Sequence, residues 1–219
     1  MTHDVFGQMT SLTDPGTLDD WNRVQLGFLA HAAVTPQYLD RVLRDAPGFA
    51  MAHAIKGMFY ALLGRRELMA TVREALTNAQ NALAEGSATA REQLYVQALE
   101  DWVAGRPSQS VQRLETVLRD HPEDTLAMKL SHAIRFVLGD AAGMRRSIER
   151  VMPAYAPDHA GRGYLLGCHA FALEETGDYD RAEITARARE NRLPVAAVRD
   201  LVEVINDPHM HERGMLEWL

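Results

Sequence analysis

The densest group of metal-binding side chain types in the sequence is His209-Met210-His211-Glu212. Two imidazoles and a carboxylate could hold Zn²⁺, Ni²⁺ or Cu²⁺. On a helix, however, residues two positions apart point about 200° away from each other, so the two histidines could not meet on one ion. We therefore interpret this stretch as the polar start of a helix after Asp207-Pro208, and we predict no metal and no cofactor.

A nucleophilic site is the second possibility, because Cys168 and His169 are adjacent. A nucleophile and its base must face each other, whereas neighbours on a helix diverge by about 100°. The pair Glu174-Glu175 likewise lacks the separation and burial that catalytic carboxylates need. We interpret Cys168 as a small buried residue and the two glutamates as a solvated helix face. No catalytic residue is assigned, since the sequence contains no phosphate loop, nucleophile elbow or zinc-type Cys/His spacing.

The other polar and aromatic candidates are scattered along the chain. We expect the single histidines to be hydrogen-bonded core or surface residues: His31, His53, His132 and His159. We assign four aromatic residues to core packing: Tyr60, Tyr95, Trp102 and Phe136. The alternative for three modest basic spots is contact with an anion or an acidic peptide: Arg65-Arg66, Arg145-Arg146 with Arg150, and Arg187 with Arg189 and Arg192.

Composition narrows the class of protein. The chain has 219 residues and a formal net charge of −7, which argues against a general nucleic-acid binder. A single cysteine allows no intramolecular disulfide. The first residues lack the basic and apolar regions of a secretory signal, and no run reaches the ~18 apolar residues of a membrane span. We expect a soluble, cytoplasmic protein with neither nucleic acid nor membrane as a partner.

The elements that carry these residues follow a helix–turn–helix pattern, which is clearest in residues 173–194. Gly177 can take the left-handed conformation of a helix end, and Asp178 can cap the next helix. Tyr179 follows, Ala182 is small enough for close helix packing, and Pro194 stops the second helix. Gly-Asp-Tyr-Asp-x-Ala with Pro twelve residues later is typical of a tetratricopeptide repeat.

The same pattern recurs upstream. Turn glycines stand at positions 64, 105, 139 and 177, at intervals of 41, 34 and 38 residues, and the middle interval equals the tetratricopeptide period. Gly105 and Pro122 are 17 residues apart, as are Gly177 and Pro194. Gly57 and Tyr60 precede Gly64 at spacing typical of the repeat. The signature residues are Gly57, Tyr60, Gly64, Gly105, Pro122, Gly139, Gly177, Asp178, Tyr179, Ala182 and Pro194.

The predicted fold is therefore all-α, a solenoid of antiparallel helix pairs. Residues 1–16 are interpreted as a polar lead-in segment that can pack locally. Residues 17–219 are predicted to form one tetratricopeptide-like domain of about five to six helix pairs. No stretch of strand length alternates apolar and polar residues clearly enough to compete with the helical periodicity.

Several stretches together go beyond the general repeat: Phe28–His31, Tyr38–Leu43, Phe49–Gly57, Ala90–Gln93, Phe136–Asp140, Gly163–Gly167 and Phe171–Glu175. They resemble the tetratricopeptide repeat protein 38 family, from near the start to about Ala186 and weakly again at 212–214 and 218–219. The resemblance implies a helical-repeat architecture and no established reaction. Members of that family are roughly twice as long, so a further helical half is expected. Arg199 and Glu203 stand where the family has two histidines, and Arg187–Leu193 replaces an apolar stretch.

Two classes of function fit these observations. The first is an interaction module, a scaffold or adaptor that binds a protein or peptide. The second is an enzyme or small-molecule-binding protein with its site in the concave groove of the solenoid. Titratable side chains converging in a closed cavity would favour the second class. The apolar C-terminal residues Met215, Trp218 and Leu219 also predict self-association through the last repeat.

Overall fold

The computed structural model describes residues 2–86 and 88–177. In these residues the chain is all-helical apart from one short β-hairpin, and they belong to one compact unit, Met1–Asp178. The strands are β1 (Thr2–His3) and β2 (Met9–Thr10). The helices are α1 (Pro15–Leu29), α2 (Thr35–Asp45), α3 (Ala50–Leu62), α4 (Met69–Ala84), α5 (Ala90–Val103), α6 (Pro107–Asp120), α7 (Thr125–Val137), α8 (Ala141–Val151) and α9 (Arg162–Glu175), with 3₁₀ turns at Arg66–Leu68 and Met152–Ala154.

Short polar side chains begin several of these helices, because their oxygens accept hydrogen bonds from otherwise unpaired backbone N–H groups. Asp14 accepts from the Thr17 N–H at 2.7 Å, so α1 begins at Pro15. Thr89 and Glu92 form a reciprocal capping box at the start of α5. Asp140 caps α8 through the Gly143 N–H at 2.9 Å.

Glycines end four of the helices. Gly64, Gly105, Gly139 and Gly177 have φ angles of 64°, 74°, 72° and 64°, in the left-handed region that a residue with a Cβ avoids. Each of these glycines lies directly after a helix, which is why the chain can reverse within a few residues. In the described part of the chain, these turns follow α3, α5, α7 and α9.

Consecutive helices pack on each other along the described chain, and α3 also packs on α5, α7 on α9 and α1 on α7. One contact depends on a glycine: a Cβ added at Gly57 on α3 would lie 2.5 Å from Leu99 Cδ2 on α5. The absence of a side chain at Gly57 therefore lets α5 approach α3 closely. The packed faces form one apolar core that runs from Leu12 to Ala172.

The N-terminal segment, residues 2–12, differs from the expectation of local packing. β1 and β2 pair antiparallel, with Thr2 opposite Thr10, although no strand was predicted. The segment's hydrogen bonds reach Glu92 on α5, more than 80 residues further along the chain. The lead-in segment is thus a folded hairpin with long-range contacts.

Candidate functional site

A cluster of buried charged and polar side chains lies beneath the N-terminal segment. It joins Asp4 from the hairpin, Arg91 and Tyr95 from α5, and Asp124 from the start of α7. The side chains of Asp4, Arg91 and Asp124 are 0%, 2% and 1% exposed, and Tyr95 is fully buried. Groups from three distant parts of the sequence therefore meet where water is excluded.

Local structure fixes the α5 and α7 members of this cluster. Arg91 and Tyr95 are four residues apart on α5 and so share one helix face. Asp124 is the N-cap of α7, and its Oδ1 accepts the Ala127 N–H at 3.0 Å. The same carboxylate accepts from Arg91 Nε at 2.6 Å and from the Tyr95 hydroxyl at 2.8 Å. Asp124 is thereby held by one backbone and two side-chain donors.

Asp4 is the hairpin's contribution to the cluster. Its carboxylate accepts from the backbone N–H groups of Phe6 and Gln8 at 3.0 and 2.9 Å, and from Gln25 Nε2 on α1 at 3.3 Å. Arg91 Nη2 lies 3.5 Å from Asp4 Oδ2. Burial raises the pKa of Asp4 above its ordinary value, outweighing the opposite effects of Arg91 and of the two backbone donors.

Further hydrogen bonds hold the backbone of the N-terminal segment. Glu92 Oε1 accepts from the Ser11 N–H at 2.8 Å and from the Thr10 hydroxyl at 3.2 Å. Asn22 Oδ1 on α1 accepts from the Val5 N–H at 2.8 Å. Arg91 Nη1 donates to the Met9 carbonyl at 3.4 Å. Side chains of α1 and α5 thus hydrogen-bond to both the backbone and the side chains of the segment.

An aromatic contact holds the tip of the hairpin. Phe6 is 3% exposed and stacks on His159, with ring centroids 6.2 Å apart and the planes 26° from parallel. His159 in turn meets the edge of Tyr155 at 4.8 Å. The Tyr155 and Thr125 hydroxyls are 3.3 Å apart, which joins this contact to the start of α7.

The N-terminal segment buries every second side chain. Asp4, Phe6, Gln8, Thr10 and Leu12 are buried. His3, Gly7 and Met9 between them are exposed. Alternation of this kind, together with hydrogen bonds to the main chain, is how a bound extended peptide is recognised. We call Asn22, Gln25, Arg91, Glu92 and His159 the receiving site.

The structure separates the residues of the suggested nucleophilic pair. Cys168 Sγ faces Lys129 Nζ on α7 at 3.8 Å, whereas His169 Nε2 lies 3.5 Å from Glu149 on α8. Burial raises the pKa of the Cys168 thiol above its ordinary value, which opposes thiolate formation. Cys168 is a buried packing residue, so these two neighbours do not form a nucleophile and base.

The scattered histidines have different surroundings, and only His159 belongs to the receiving site. His31 is exposed with a φ of 53°. His53 Nε2 is 2.8 Å from the Pro47 carbonyl. Burial, with a smaller effect of Lys129, lowers the pKa of His132 to about 4, so its imidazole is neutral at pH 7.

The four aromatic residues assigned to the core differ in how deeply they are buried. Tyr95 is fully buried within the charged cluster. Tyr60 and Trp102 are half-buried against the core. The assignment of Phe136 was wrong: it is 50% exposed at the end of α7 and packs only edge-on against Phe171, with centroids 5.2 Å apart.

The described basic spots have acidic neighbours from the chain itself. Arg65 pairs with Glu67 at 2.7 Å, and Arg145 with Glu149 at 2.7 Å. Arg150 pairs with Glu115 at 2.6 Å. Several other expectations lie outside the described residues: Asp178, Tyr179, Ala182, Pro194, Arg187, Arg189, Arg192, the 209–212 stretch, and self-association through Met215, Trp218 and Leu219.

Sequence reasoning missed most of the receiving site. Arg91 and Glu92 were noted only within the Ala90–Gln93 stretch, and Asn22 and Gln25 were given no role. Within residues 2–86 and 88–177, no group of three or more His, Cys, Asp or Glu side chains could hold a metal ion. Among the helices described, none is long and apolar enough to cross a membrane.

No family model matches this chain, and no solved structure matches it at a significant level. The residues of the receiving site and the N-terminal segment that occupies it are therefore the features that bear on function.

Proposed function

We propose that this protein is a helical-repeat interaction module, a scaffold or adaptor that binds a peptide segment of a partner. The observation that carries the proposal is the chain's own residues 2–12, which lie across α1, α5 and the start of α7. Their backbone is bound by Asn22 and Glu92, and alternate side chains are buried. A helical surface that holds one such segment has the chemistry to hold another.

A tetratricopeptide-like solenoid is part of the same proposal. It is supported by left-handed glycines at recurring helix ends and by the close approach of α3 and α5 at Gly57. The resemblance to the tetratricopeptide repeat protein 38 family agrees with it. Stacked helix pairs of that kind produce long concave surfaces, which commonly receive peptides or partner helices.

The chemistry of the buried cluster favours binding over catalysis. Asp4, Arg91, Tyr95 and Asp124 do converge from separate elements, as an enzyme would require. Their polar atoms, however, bond to one another and to neighbouring backbone and side-chain groups of the same chain. None of the three charged side chains is more than 2% exposed. A reacting molecule would need contact with these groups, so the cluster supports recognition of the segment that covers it.

Selection from random displayed peptides tests the proposal with the full chain. The targets are the wild type and a variant with a weakened hairpin, Asp4→Ala/Phe6→Ala. We expect peptides to be enriched on the hairpin variant, and we expect them to lose affinity when Asn22→Ala is added. Asn78→Ala, an exposed asparagine on α4, is the matched control and should change nothing. If no peptide is enriched on either target, or if Asn22→Ala is silent, the proposal is wrong.

Self-association through the C-terminal repeat is a separate part of the proposal, supported by the apolar residues Met215, Trp218 and Leu219 in the sequence. Sedimentation velocity of the full chain at tens of micromolar tests it. A species heavier than a monomer, shifted toward monomer by Trp218→Ser, is the expected result. A monodisperse monomer would contradict this part and leave the peptide-binding part intact.

A further inference from the structure

The N-terminal segment has the contacts of a bound ligand and only a narrow connection to the helices. Between the buried Leu12 and the buried Thr17 the chain is exposed at residues 13–16. The hydrogen bonds that cap α1 do not involve the hairpin, because the Asp14 carboxylate accepts from the N–H and the hydroxyl of Thr17. The N-terminal segment is also held together by its own hydrogen bonds, such as the one that the Thr2 hydroxyl donates to the Leu12 carbonyl at 2.8 Å. The segment can therefore leave its site without unwinding α1.

The segment's deepest side chains are also separable from the core. Phe6 is buried outside the main apolar core, and its ring contact is His159. Asp4 is buried by polar groups: Gln25, Arg91 and the segment's own backbone N–H groups. Leu12 is the member of the segment that packs in the main core. Recognition of residues 4–8 thus depends on a carboxylate and an aromatic ring more than on bulk apolar burial.

The receiving side keeps two buried polar atoms that the segment does not satisfy. Arg91 Nη2 is 3.5 Å from Asp4 but makes no hydrogen bond within the described residues, and Gln25 Oε1 has no partner there either. Both side chains are buried and adjoin the Asp4 carboxylate. Buried unsatisfied donors and acceptors weaken a complex. A similar segment with a carboxylate at this position would meet the same two side chains.

Resting on the proposed function, we propose that the receiving site is a binding site for a turn-forming peptide with a carboxylate, an aromatic ring two residues later and then glycine. In this chain Asp4-Val5-Phe6-Gly7-Gln8 occupies the site from within the molecule. Arg91 and Gln25 bind the carboxylate, His159 stacks on the ring, and Asn22 and Glu92 bind the peptide backbone. A partner's segment of the same chemistry binds by displacing residues 2–12.

The turn of the peptide requires glycine at the position directly after the aromatic residue. Gly7 has a φ of 75°, and its N–H donates to the Asp4 carbonyl at 2.9 Å, which closes the turn that brings Phe6 and Asp4 onto the site. A residue with a Cβ is strained at that angle. The ligand class is therefore carboxylate, any residue, aromatic, glycine, and not acidic peptides in general.

Fluorescence anisotropy of a labelled synthetic peptide, residues 2–12, tests the inference on the full chain. The tethered segment competes at an effective concentration on the order of millimolar, so the wild type should bind the free peptide weakly. The hairpin variant Asp4→Ala/Phe6→Ala should bind it at least about tenfold more tightly. The control His3→Ala/Met9→Ala changes exposed hairpin residues and should behave as the wild type. Equal affinity of wild type and hairpin variant would overturn the inference.

Changes in the peptide and in the site test the assigned contacts. A peptide with alanine at the Asp4 position, or with L-valine at the Gly7 position, should lose at least about tenfold in affinity for the hairpin variant. Adding Asn22→Ala to the hairpin variant should weaken binding of the unchanged peptide about threefold or more, as expected for one hydrogen bond. Asn78→Ala should leave it unchanged. Equal binding of the altered peptides would contradict the ligand class.

Hydrogen exchange on the wild type covers the case in which the hairpin variant does not fold. With isotope-labelled peptide in excess, the chain's own amides at Val5 and Ser11 should exchange faster, because their bonds to Asn22 and Glu92 are taken over. Amides in α4 should not change, because the hydrogen bonds described between the segment and the helices go to α1 and α5. Unchanged exchange at saturating peptide overturns displacement. If random peptides of another class are nevertheless selected, only the ligand class fails and the interaction module stands.

Discussion

At the scale of single residues, the buried cluster has an unbalanced charge. Two carboxylates, Asp4 and Asp124, share one guanidinium, that of Arg91. Asp124 holds the closer contact with Arg91, at 2.6 Å, so Asp4 carries the larger part of the imbalance. Burial raises the pKa of Asp4, and the negative charge of Asp124 raises it further. Protonation of Asp4 therefore favours the docked hairpin.

Replacement of Asp4 by asparagine tests this charge effect. A carboxyl with a raised folded pKa contributes stability that is present below its unfolded pKa of about 3.9 and is lost as pH rises through the folded value. The unpaired Gln25 Oε1 can accept the new amide if the Gln25 side chain flips. The free energy of unfolding of Asp4→Asn, relative to wild type, should therefore increase as pH rises from about 4. Urea unfolding of both proteins between pH 4 and 7 measures it, and a flat or falling difference would contradict the assignment.

The contribution of Glu115 to stability should change with pH in the opposite direction from that of Asp4. Burial alone would raise its pKa, but hydrogen bonds from Ser131 and Ser147 and the charges of Arg135 and Arg150 outweigh it, so the pKa of Glu115 is lowered. A lowered folded pKa contributes stability above about pH 4.3 that is lost as pH falls. Glu115→Gln relative to wild type should therefore become less stable as pH rises through the range below about 4.3. Urea unfolding at pH 3 to 5 checks it, and a difference of the Asp4→Asn sign would refute it.

Loss of Arg91 should be costly, because it leaves two buried carboxylates without a cation. Breaking a buried ion pair from one side typically costs about 3–5 kcal/mol, so Arg91→Met should lower the free energy of unfolding by that order. Arg113→Met is the matched control: Arg113 also pairs with an aspartate, Asp101, at 3.1 Å, but is 46% exposed. Exposed pairs contribute about 0–1 kcal/mol. Equal losses in urea unfolding for the two variants would show that burial of the Arg91 pair carries no weight.

At the scale of the elements, helices were predictable where local chemistry sets their ends. The caps at Thr89 and Asp124 and the left-handed Gly105 and Gly139 are signals carried by one or two residues. The start of α9 at Arg162 carries no such signal, because no side chain caps it. Local signals thus mark the helix ends at which a capping side chain or a left-handed glycine is present.

The hairpin was not predictable in the same way. Its buried positions are Asp4, Phe6, Gln8, Thr10 and Leu12. Three of these five side chains are polar, so apolar periodicity does not reveal the alternation. Their burial depends on Arg91 and Glu92, about 80 residues away, and no local propensity contains that contact. Long-range polar pairing is what sequence reasoning on one chain could not supply.

The turn after α9 offers a test of the glycine signal. Gly177 has a φ of 64°, and an added Cβ would meet nothing within 4 Å, so any cost of a side chain there is conformational. Gly177→Val should lower the free energy of unfolding by about 1–2 kcal/mol. Gly163→Ala at the start of the same helix, without positive φ and equally unobstructed, should not lower it. Thermal unfolding of both variants decides, and an unchanged melting temperature for Gly177→Val would count against the turn.

At the scale of the whole described unit, the N-terminal segment connects elements that are far apart in sequence. α1 contacts α7 directly, and the hairpin binds Asn22 and Gln25 on α1 as well as Arg91 and Glu92 on α5. Through Arg91 it also reaches Asp124 at the start of α7. The hairpin therefore acts as a clip between the first helix and the middle of the helical array.

Hydrogen exchange across the described unit tests the clip. In the hairpin variant Asp4→Ala/Phe6→Ala, α1 loses the segment's bonds to Asn22 and Gln25, so its amides should open more often and exchange faster. Amides in the first turn of α7 should also exchange faster, because Arg91 is freed from Asp4 and holds Asp124 less rigidly. The α4 helix packs on α3 and α5. The hydrogen bonds described between the segment and the helices go to α1 and α5, so exchange in α4 should stay at the wild-type rate. Faster exchange in α4 to the same extent would mean general destabilisation, and unchanged exchange in α1 would mean that the hairpin is not a clip at all.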